Sequence, residues 1–269
     1  MITKEDLLRQ LETFHIAKGK PVIVHSSLKA IGQIHGSGET LLSTLIEYFT
    51  ADDGLLCIPT HTWACPNLDL NKAETCLGVL PNLAAGHPDA TRTLHPTHSM
   101  AVFGESKRVE QFIAGEDKVD IPVSPKGCYG RIYSEDGYVL LVGVGHEKNT
   151  FLHCVEEMLH IPNRLMDTLE ERVIIHKNGQ CERRYLHPFK EDEIPDVSLN
   201  FGKYEPAFRH HSCILDGQIG NACTQLCSAR KMKEVVELIH KNSGGIELLA
   251  DNLPLDEQLY TCNICAFGV

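Results

Sequence analysis

The sequence predicts an α/β fold in which a mainly parallel or mixed sheet is covered by helices. Short apolar runs typical of buried strands alternate with longer segments whose apolar residues recur at helical spacing. Polar loops that contain glycine follow several of these runs. At 269 residues the chain can bury a sizeable core. Strands and helices that alternate in this way are typically joined by right-handed crossovers.

Strands are predicted at four apolar runs. These are residues 22–24, 55–58, 100–103 and 139–142. Two further segments, 172–176 and 181–186, flank the dipeptide Asn178-Gly179, which favours a tight two-residue hairpin turn. We expect this hairpin at the edge of the main sheet.

Helices are predicted where apolar residues recur every three or four positions. In the first of them, Leu7, Leu11 and Phe14 share one side. The expected helices span residues 3–15, 39–49, 79–86, 105–114, 150–160, 200–209 and 228–242. Residues 64–78 and 187–198 are expected to be loops.

Polar loops follow three of the predicted strands at their carboxyl ends. They comprise residues 25–32, 59–63 and 143–153. In open α/β sheets, ligands bind beyond the carboxyl ends of the strands. The first loop either presents amide groups to an anion or is a plain connection with turn glycines, and it lacks both the Walker and the GxGxxG spacing. The coincidence of three such loops favours a small-molecule enzyme.

His153 is the candidate general base. It follows Asn149 and Thr150, two residue types that cap helices well. If Thr150 is the cap, His153 lies in the first helical turn, where unpaired N–H groups and the helix dipole oppose protonation of an imidazole. A neutral imidazole at a junction between a strand and a helix can accept a proton at pH 7. The alternative is a histidine that only makes contacts at a helix terminus.

Net charge, the length of apolar runs and the cysteine count indicate which ligands and which cellular location to expect. The formal net charge of −11 argues against nucleic acid, whose phosphates require a basic face, and is compatible with a polycationic ligand. No apolar run approaches the ~20 residues that span a membrane, and the amino terminus lacks the apolar core of a signal peptide. We therefore expect a cytoplasmic protein that does not bind membranes. The 11 cysteines, an odd number, indicate reduced thiols rather than a disulfide framework.

Three separated motifs resemble the aminoglycoside 3-N-acetyltransferase family. They are VHSSLKAIG at residues 24–32, RTLHPTHSMAVFG at 92–104 and VLLVGVGHEKNTFLHCVEE at 139–157. The resemblance implies one acetyltransferase domain over residues 1–269 with the antibiotic N-acetyltransferase fold. This fold is a three-layer α/β/α sandwich with a mixed central sheet, unrelated to the GNAT acetyltransferases. The family uses acetyl-CoA and no metal, and it acetylates the 3-amino group of 2-deoxystreptamine aminoglycosides, which confers antibiotic resistance.

The resemblance also implies roles for individual residues. The histidine of the family segment T-x-L-H-x-x-E is His153, the general base. Two segments of the family approach the cofactor. The residues implied to bind acetyl-CoA are Ser26, Ser27, Leu28, Lys29, Ala30, Ile31, Arg92, His95, Pro96 and Ser99.

The expected chemistry is direct acetyl transfer. A drug amine is mostly protonated at pH 7 and must lose a proton before it attacks a thioester. His153 accepts that proton, directly or through one water. Ser26, Ser27 or nearby amides are candidate donors to the oxyanion that develops on the acetyl group. No covalent acyl-enzyme is required.

A carboxylate is expected to orient the imidazole of His153 and to stabilise the imidazolium. In relatives it comes from a segment after the hairpin, where this chain departs from the family pattern. Glu191 is the first candidate, followed by Asp192 and Glu193. Glu157, one helical turn after His153, is the alternative.

Metal binding and a thiol nucleophile are alternatives for the same residues. His153, Glu157 and His160 share a helical face, but the HExxH spacing of zinc hydrolases is absent. The C-x-x-C pair Cys262 and Cys265 needs two more ligands to hold zinc. Neighbouring residues on a helix point about 100° apart, which argues against a Cys–His nucleophile at position 154.

The resemblance supports the family more strongly than it supports a particular acceptor. One alternative is an acyl-CoA-dependent N-acyltransferase of the same fold that acts on another amine. Another is a catalytically silent CoA-binding relative. We expect loops 64–80 and 187–198 to determine the acceptor.

Overall fold

The computed structural model describes residues 1–190 and 196–261. Strands within these ranges form two sheets. The strands are β1 (Pro21–Ser26), β2 (Leu55–Pro59), β3 (Asn67–Asp69), β4 (Thr91–Arg92), β5 (Met100–Phe103), β6 (Tyr138–Val142), β7 (Glu170–Ile175), β8 (Cys181–Leu186), β9 (Ile214–Ile219) and β10 (Ala222–Ser228).

Helices connect most of these strands. They are α1 (Lys4–Glu12), α2 (Leu28–Ile31), α3 (Ser37–Phe49), α4 (Val79–Gly86), α5 (Ser106–Ile113), α6 (Cys128–Ser134), α7 (Phe151–Met158), α8 (Glu205–His210), α9 (Ala229–Asn242) and α10 (Gln258–Thr261). Thr3, Ser27 and Ser228 each cap a helix through a side-chain oxygen, as is typical of these residue types. No helix in the described ranges is long and apolar enough to cross a membrane.

The main sheet has seven strands in the order β4-β5-β2-β1-β6-β10-β9. The central strand β1 runs parallel to both β2 and β6. The outer strands pair antiparallel, β5 with β2 and β10 with β6. The predicted mixed sheet is therefore confirmed, with a parallel centre and antiparallel margins.

Side chains of the central strands alternate between two hydrophobic cores. Val22 and Val24 of β1 pack in one core, and Ile23 packs in the other. Leu140 and Leu141 of β6 divide in the same way. Helices α1, α3 and α4 cover the first core, and α5 to α9 cover the second. Since each fully buried Val, Leu or Ile contributes roughly 1.5–3 kcal/mol, burial on both faces accounts for uninterrupted apolar strands and a three-layer α/β/α sandwich.

The hairpin of β7 and β8 is not at the edge of the main sheet, and that prediction was wrong. It pairs with β3 in a separate three-stranded sheet of order β3-β7-β8. The dipeptide Asn178-Gly179 encodes the turn locally, but the partner of a hairpin depends on residues far along the chain. Strand β3 lies in a segment predicted as loop, because three residues are too short to display a period.

The carboxyl-terminal third differs from the prediction in two elements. The segment expected as one helix over 200–209 divides into 3-10 turns at Val197–Tyr204 and the helix α8. The piece between the last two predicted helices is a full antiparallel hairpin, in which β9 pairs with β10. This hairpin extends the main sheet beside β6.

Candidate active site

The carboxyl ends of β1, β2 and β6 lie at one edge of the sheet because the three strands are parallel. The pairing of Ser26 with Val142 brings the ends of β1 and β6 side by side. The three loops predicted from the sequence meet here around a cavity of about 690 Å³. Residues from all three loops line it, namely His25, Ser26, Pro59, His61, Val144, Thr150 and His153.

Gly143 allows the turn after β6 to approach helix α2 closely. Its φ is +67°, a conformation that favours glycine. A Cβ atom at this position would lie 2.4 Å from the Cβ of Ala30. A side chain would therefore separate the turn from α2 and open this wall of the cavity.

His153 is the third residue of α7, and Thr150 is the residue before the helix, as predicted. The cap is made by backbone alone, since the His153 N–H donates to the Thr150 carbonyl at 3.2 Å and the threonine side chain caps nothing. The imidazole is 9% exposed and lines the cavity. The rings of Phe189 and Phe201 pack against it, with centroids 4.6 and 4.8 Å away. These contacts hold the plane of the imidazole.

Glu156 is the hydrogen-bond partner of His153. Its Oε2 atom lies 3.2 Å from Nδ1 of His153, one helical turn earlier on α7. Glu156 is 1% exposed. With Nδ1–H donating to this carboxylate, the free lone pair of the ring is on Nε2. An arrangement of this kind fixes the tautomer that can act as a base.

Arg164 holds the other oxygen of Glu156. The Nε atom of Arg164 lies 2.5 Å from Oε1 of Glu156, and its terminal nitrogens bind both oxygens of Glu247 at 2.7 and 3.2 Å. Burial opposes the charge of Arg164, but the Glu247 hydrogen bonds and the charge of Glu156 outweigh it and raise the pKa of Arg164. The buried carboxylate of Glu156 is thus paired with a permanent cation.

The carboxylate bonded to Nδ1 of His153 belongs to a residue that was not among the predicted candidates. Glu157 follows Glu156 on α7, and Nδ1 is bonded to Glu156. Burial and the neighbouring Glu156 raise the pKa of Glu157. The other three candidates, Glu191, Asp192 and Glu193, lie outside the described residues, as do Cys262 and Cys265.

Glu156 could have been found from the sequence. The family segment T-x-L-H-x-x-E places its glutamate three residues after the histidine, which is position 156. Residues three apart on a helix are neighbours on its surface. Arg164 and Glu247 have no comparable signal, because 83 residues separate them and their pairing depends on the packing of distant segments.

At the end of β1, two buried polar atoms in the wall of the cavity lack a hydrogen-bond partner among the described residues. They are Nε2 of His25 and Oγ of Ser26. Burial lowers the pKa of His25 to about 3, so its imidazole is neutral at pH 7. Buried polar groups in folded proteins are nearly always paired. Two unpaired ones beside a cavity therefore indicate a place where a polar ligand atom binds.

His61 and His98 form the adjoining part of the wall. Their ring centroids are 4.5 Å apart. Nε2 of His61 is 2.8 Å from the hydroxyl of Tyr129, and Nδ1 of His98 is 3.0 Å from the hydroxyl of Thr97. Burial, reinforced by the nearby histidines, lowers the pKa of both well below the usual value. Both side chains are neutral at pH 7, so this wall is polar but uncharged.

Charged residues surround the rest of the cavity. The acidic ones are Glu147, Glu170 and Asp196. Trp63, which is 51% exposed, lies on the same wall. The basic residues that line the cavity are Lys148, Arg164, Arg172 and Lys190.

Four residues predicted to bind the cofactor make hydrogen bonds that hold loops together. His95 is fully buried, with Nε2 donating to the Ile121 carbonyl at 2.9 Å and Nδ1 accepting from the His98 N–H at 2.9 Å. Pro96 is enclosed and accepts a hydrogen bond from Thr62. Cofactor binding by these two residues stays a prediction.

Arg92 and Ser99 serve the same loop. The Arg92 guanidinium donates to the Thr60 carbonyl at 2.9 Å and to the Ser99 hydroxyl at 3.2 Å. Ser99 in turn donates to the Thr60 carbonyl at 2.8 Å and is fully buried. These bonds anchor the start of the loop that carries His61 and Trp63, and cofactor binding by Arg92 and Ser99 stays a prediction.

The structure places the residues of segment 26–31, which were predicted to bind the cofactor, in different environments. Ser26 lines the cavity, whereas Ile31 is fully buried in the core. Ser27 caps α2, accepting from the Ala30 N–H at 3.3 Å. Leu28 and Lys29 follow on α2, where Leu28 is half-buried and Lys29 is exposed. Cofactor binding by residues 27–31 stays a prediction.

In residues 1–190 and 196–261, no group of three or more His, Cys, Asp or Glu side chains is arranged to hold a metal ion. His153 is paired with Glu156, and His160 is exposed at the end of α7. Cys154 is fully buried, and burial raises the pKa of its thiol far above the usual value. A Cys154 thiolate is accordingly disfavoured.

Known proteins are similar to this chain over most of its length. The family model described as aminoglycoside 3-N-acetyltransferase matches residues 23–239. Aminoglycoside N(3)-acetyltransferase IV of Salmonella sp is 25% identical over 277 residues, which are 94% of this chain and 96% of that protein. The SPbeta prophage-derived aminoglycoside N(3')-acetyltransferase-like protein YokD of Bacillus subtilis is 22% identical over 91% of this chain and 95% of its own length.

Solved structures show the same fold. The apoenzyme of aminoglycoside acetyltransferase AAC(3)-IVa superposes with a TM-score of 0.69 at 25% identity, over 87% of this chain and 86% of that one. A mutant of AAC(3)-IVa in complex with apramycin gives a TM-score of 0.72 at 23% identity over 98% of both chains. AAC-IIIb in a binary complex with CoASH gives 0.70 at 18% identity, over 86% of this chain and 93% of that one.

Proposed function

Because this chain belongs to the aminoglycoside 3-N-acetyltransferase family, we propose that it transfers an acetyl group from acetyl-CoA to the 3-amino group of a 2-deoxystreptamine aminoglycoside. The reaction is a direct transfer with His153 as general base. The observation that carries the mechanism is the hydrogen bond between Nδ1 of His153 and the buried carboxylate of Glu156, at the wall of the cavity.

His153 removes a proton from the attacking ammonium group. An amine with a pKa near that of lysine is almost entirely protonated at pH 7 and has no lone pair for attack. With Nδ1–H committed to Glu156, Nε2 of His153 is the acceptor for this proton, directly or through one water. The packing of Phe189 and Phe201 against the ring keeps it from rotating away from this orientation.

Glu156 stabilises the imidazolium that forms on His153 and keeps the ring in the productive tautomer. Arg164 determines how Glu156 does this. Its guanidinium pairs with the buried carboxylate and holds it in place, so that the carboxylate orients the ring. Glu247 balances the charge of Arg164 from the other side. Arg164 and Glu247 are thus positioning residues.

Acetyl-CoA supplies an activated acetyl carbonyl as the donor substrate. The Ser26 hydroxyl and Nε2 of His25 fit this group, because both are buried polar atoms beside the cavity with no partner among the residues that the structure describes. The Ser26 hydroxyl donates to the carbonyl oxygen as its negative charge develops. A neutral His25 next to it adds polarity without competing with His153 for the proton.

Acidic side chains suit a polycationic acceptor. Glu147, Glu170 and Asp196 line the same cavity as His153. The exposed ring of Trp63 offers an apolar face to a sugar ring. A ligand with several ammonium groups pairs with these carboxylates, which positions one amine beside His153.

The test is release of CoA thiol from acetyl-CoA with a panel of 2-deoxystreptamine aminoglycosides, with a blank lacking acceptor to subtract the reaction of protein thiols. We expect acceleration by aminoglycosides with a free 3-amino group and none by analogues acylated at that position. If only a different class of amine accelerates the release, that amine is the acceptor, and the proposed mechanism still applies to it. Binding of CoA without turnover of any amine would refute the enzymatic proposal.

A further inference from the structure

Two cysteines of the loop that follows β2 lie against each other. The Sγ atoms of Cys65 and Cys76 are 4.0 Å apart. Ten residues, 66–75, lie between them in the sequence, so the contact closes a loop. Both side chains are only partly buried. A disulfide requires the sulfurs to approach to about 2.05 Å, which is a side-chain movement of about 2 Å.

The backbone holds the two cysteines near this geometry. The Cys76 N–H donates to the His61 carbonyl at 2.8 Å, and the Cys65 N–H donates to the Thr62 carbonyl at 2.9 Å. The Ala64 N–H points at the Cys76 sulfur at 3.3 Å. Both ends of the loop are therefore attached to the same short segment at the end of β2. The thiol contact is a consequence of the fold rather than a chance meeting of flexible chains.

The pair is reachable from solvent and lies next to the cavity. Trp63, two residues before Cys65, and Leu77, directly after Cys76, both line the cavity and are exposed by 51% and 39%. The intervening residues 71–74 are exposed as well. A small oxidant can approach the thiols, and a covalent link between them changes the freedom of two cavity-lining side chains.

We propose that Cys65 and Cys76 form a reversible dithiol–disulfide pair that ties the loop 65–76 to the rim of the cavity. A low-molecular-weight disulfide such as glutathione disulfide is the oxidant. One thiolate attacks a glutathione sulfur and releases one glutathione thiol, and the second cysteine then displaces the other glutathione. The protein loses two electrons and two protons, one S–S bond forms, and glutathione disulfide is reduced to two thiols. Excess dithiol reverses both steps.

Either cysteine can make the first attack, and the other then resolves the mixed disulfide. Replacing one of the two therefore traps glutathione on the other.

The decisive experiment treats the full chain with glutathione disulfide, blocks free thiols by alkylation and maps the tryptic peptides. We expect a crosslink between the peptides that contain Cys65 and Cys76, with loss of two hydrogen atoms and release by a reductant. The exposed Lys72 lies between the two cysteines. Limited trypsin cleavage after it therefore yields two fragments of the oxidised protein that separate on a gel only after reduction. Cys65→Ser removes the crosslink, and Cys181→Ser, at an exposed cysteine on β8, is the matched control that keeps it.

The effect on the cavity is measured separately and rests on the proposed function. The oxidised enzyme is expected to show a Michaelis constant for its acceptor about 2- to 5-fold lower, because a fixed rim is pre-organised, with kcat nearly unchanged because His153 lies on α7. Mixed glutathione disulfides on both cysteines of the unaltered chain, or a crosslink to another cysteine, would overturn the pair. Since peptide mapping needs no turnover, a protein without transferase activity still tests it.

Discussion

Nδ1 of His153 lies 3.2 Å from Oε2 of Glu156, and both residues belong to one turn of α7. This contact joins a residue at the cavity wall to a buried carboxylate. Through Arg164 it also connects α7 to Glu247, 91 residues after Glu156 in the sequence. The candidate base is consequently held by residues that are distant in the chain, and each link can be tested by substitution.

Replacing His153 should abolish most of the transferase activity. For His153→Asn we expect kcat to fall by about 10³-fold, because no other side chain of the described site takes the proton from the amine. His160→Asn, at the exposed end of α7, is the control and should retain wild-type turnover. Steady-state kinetics with a turned-over aminoglycoside measures both. Full turnover by His153→Asn would exclude it as the base.

Glu156 and Glu157 should differ sharply although they are neighbours. Glu156→Gln removes the negative charge that stabilises the imidazolium, so kcat should fall by about 10²-fold or more. Glu157→Gln should change kcat by less than about 3-fold, because Nδ1 of His153 is bonded to the other glutamate. The pH profile of kcat/KM distinguishes a loss of orientation from a loss of folding. An equal effect of the two substitutions would reject the assignment.

Arg164 should contribute strongly to stability. Arg164→Met leaves the buried carboxylate of Glu156 without its cation, which should reduce the free energy of unfolding by about 3–5 kcal/mol. Arg9→Met breaks an exposed ion pair with Asp6 and should leave the stability nearly unchanged. Urea unfolding followed by circular dichroism gives both values. Equal, small losses would mean that the Glu156–Arg164 pair does not carry the proposed charge balance.

Substitution of Ser26 should affect catalysis, whereas substitution of Ser27 should affect stability. Ser26→Ala removes a hydroxyl that has no partner in residues 1–190 and 196–261, so stability should hold while kcat falls by about 10- to 10²-fold. Ser27→Ala removes the cap of α2 and should cost about 1 kcal/mol of stability with little change in kcat. Unfolding and kinetics are measured on the same preparations. The reverse pattern would place the donor at Ser27.

Stability should fall with acid because several histidines are buried in neutral form. Burial lowers the pKa of His25 to about 3, and of His95 and His146 to about 4, below the ordinary value near 6.5. Below pH 6.5 these histidines are protonated in the unfolded chain but stay neutral in the folded chain. The free energy of unfolding therefore decreases as the pH falls from 6.5 toward 4. Each such histidine contributes a loss of about 1 kcal/mol per pH unit.

Urea midpoints between pH 7 and pH 5 measure this slope. Asn in place of His146 should flatten it, since Asn cannot take up the proton and occupies part of the same volume. The exposed His15→Gln is the control, and its slope should match that of the unaltered chain. A stability that is constant or that rises toward pH 5 would contradict neutral burial of these residues.

Much of the fold was predictable because its determinants are local. Uninterrupted apolar runs identified the strands β1, β2, β5 and β6, and both of their faces are buried. Loops that follow parallel strands must share one edge of the sheet. The three polar loops after the predicted strands therefore indicated where the cavity lies. The edge location predicted for the β7–β8 hairpin failed because its partner β3 is short and lies about 100 residues earlier.

The sequence by itself determined the alternation of strands and helices, the family, and the position of His153 in the first turn of a helix. Each strand, helix and motif behind these features depends on residue types and spacing within its own segment. Only the tertiary structure showed that Arg164 and Glu247 support Glu156, and that His95 holds a loop. Hydrogen bonds between distant segments depend on side-chain directions and packing, which no local pattern specifies.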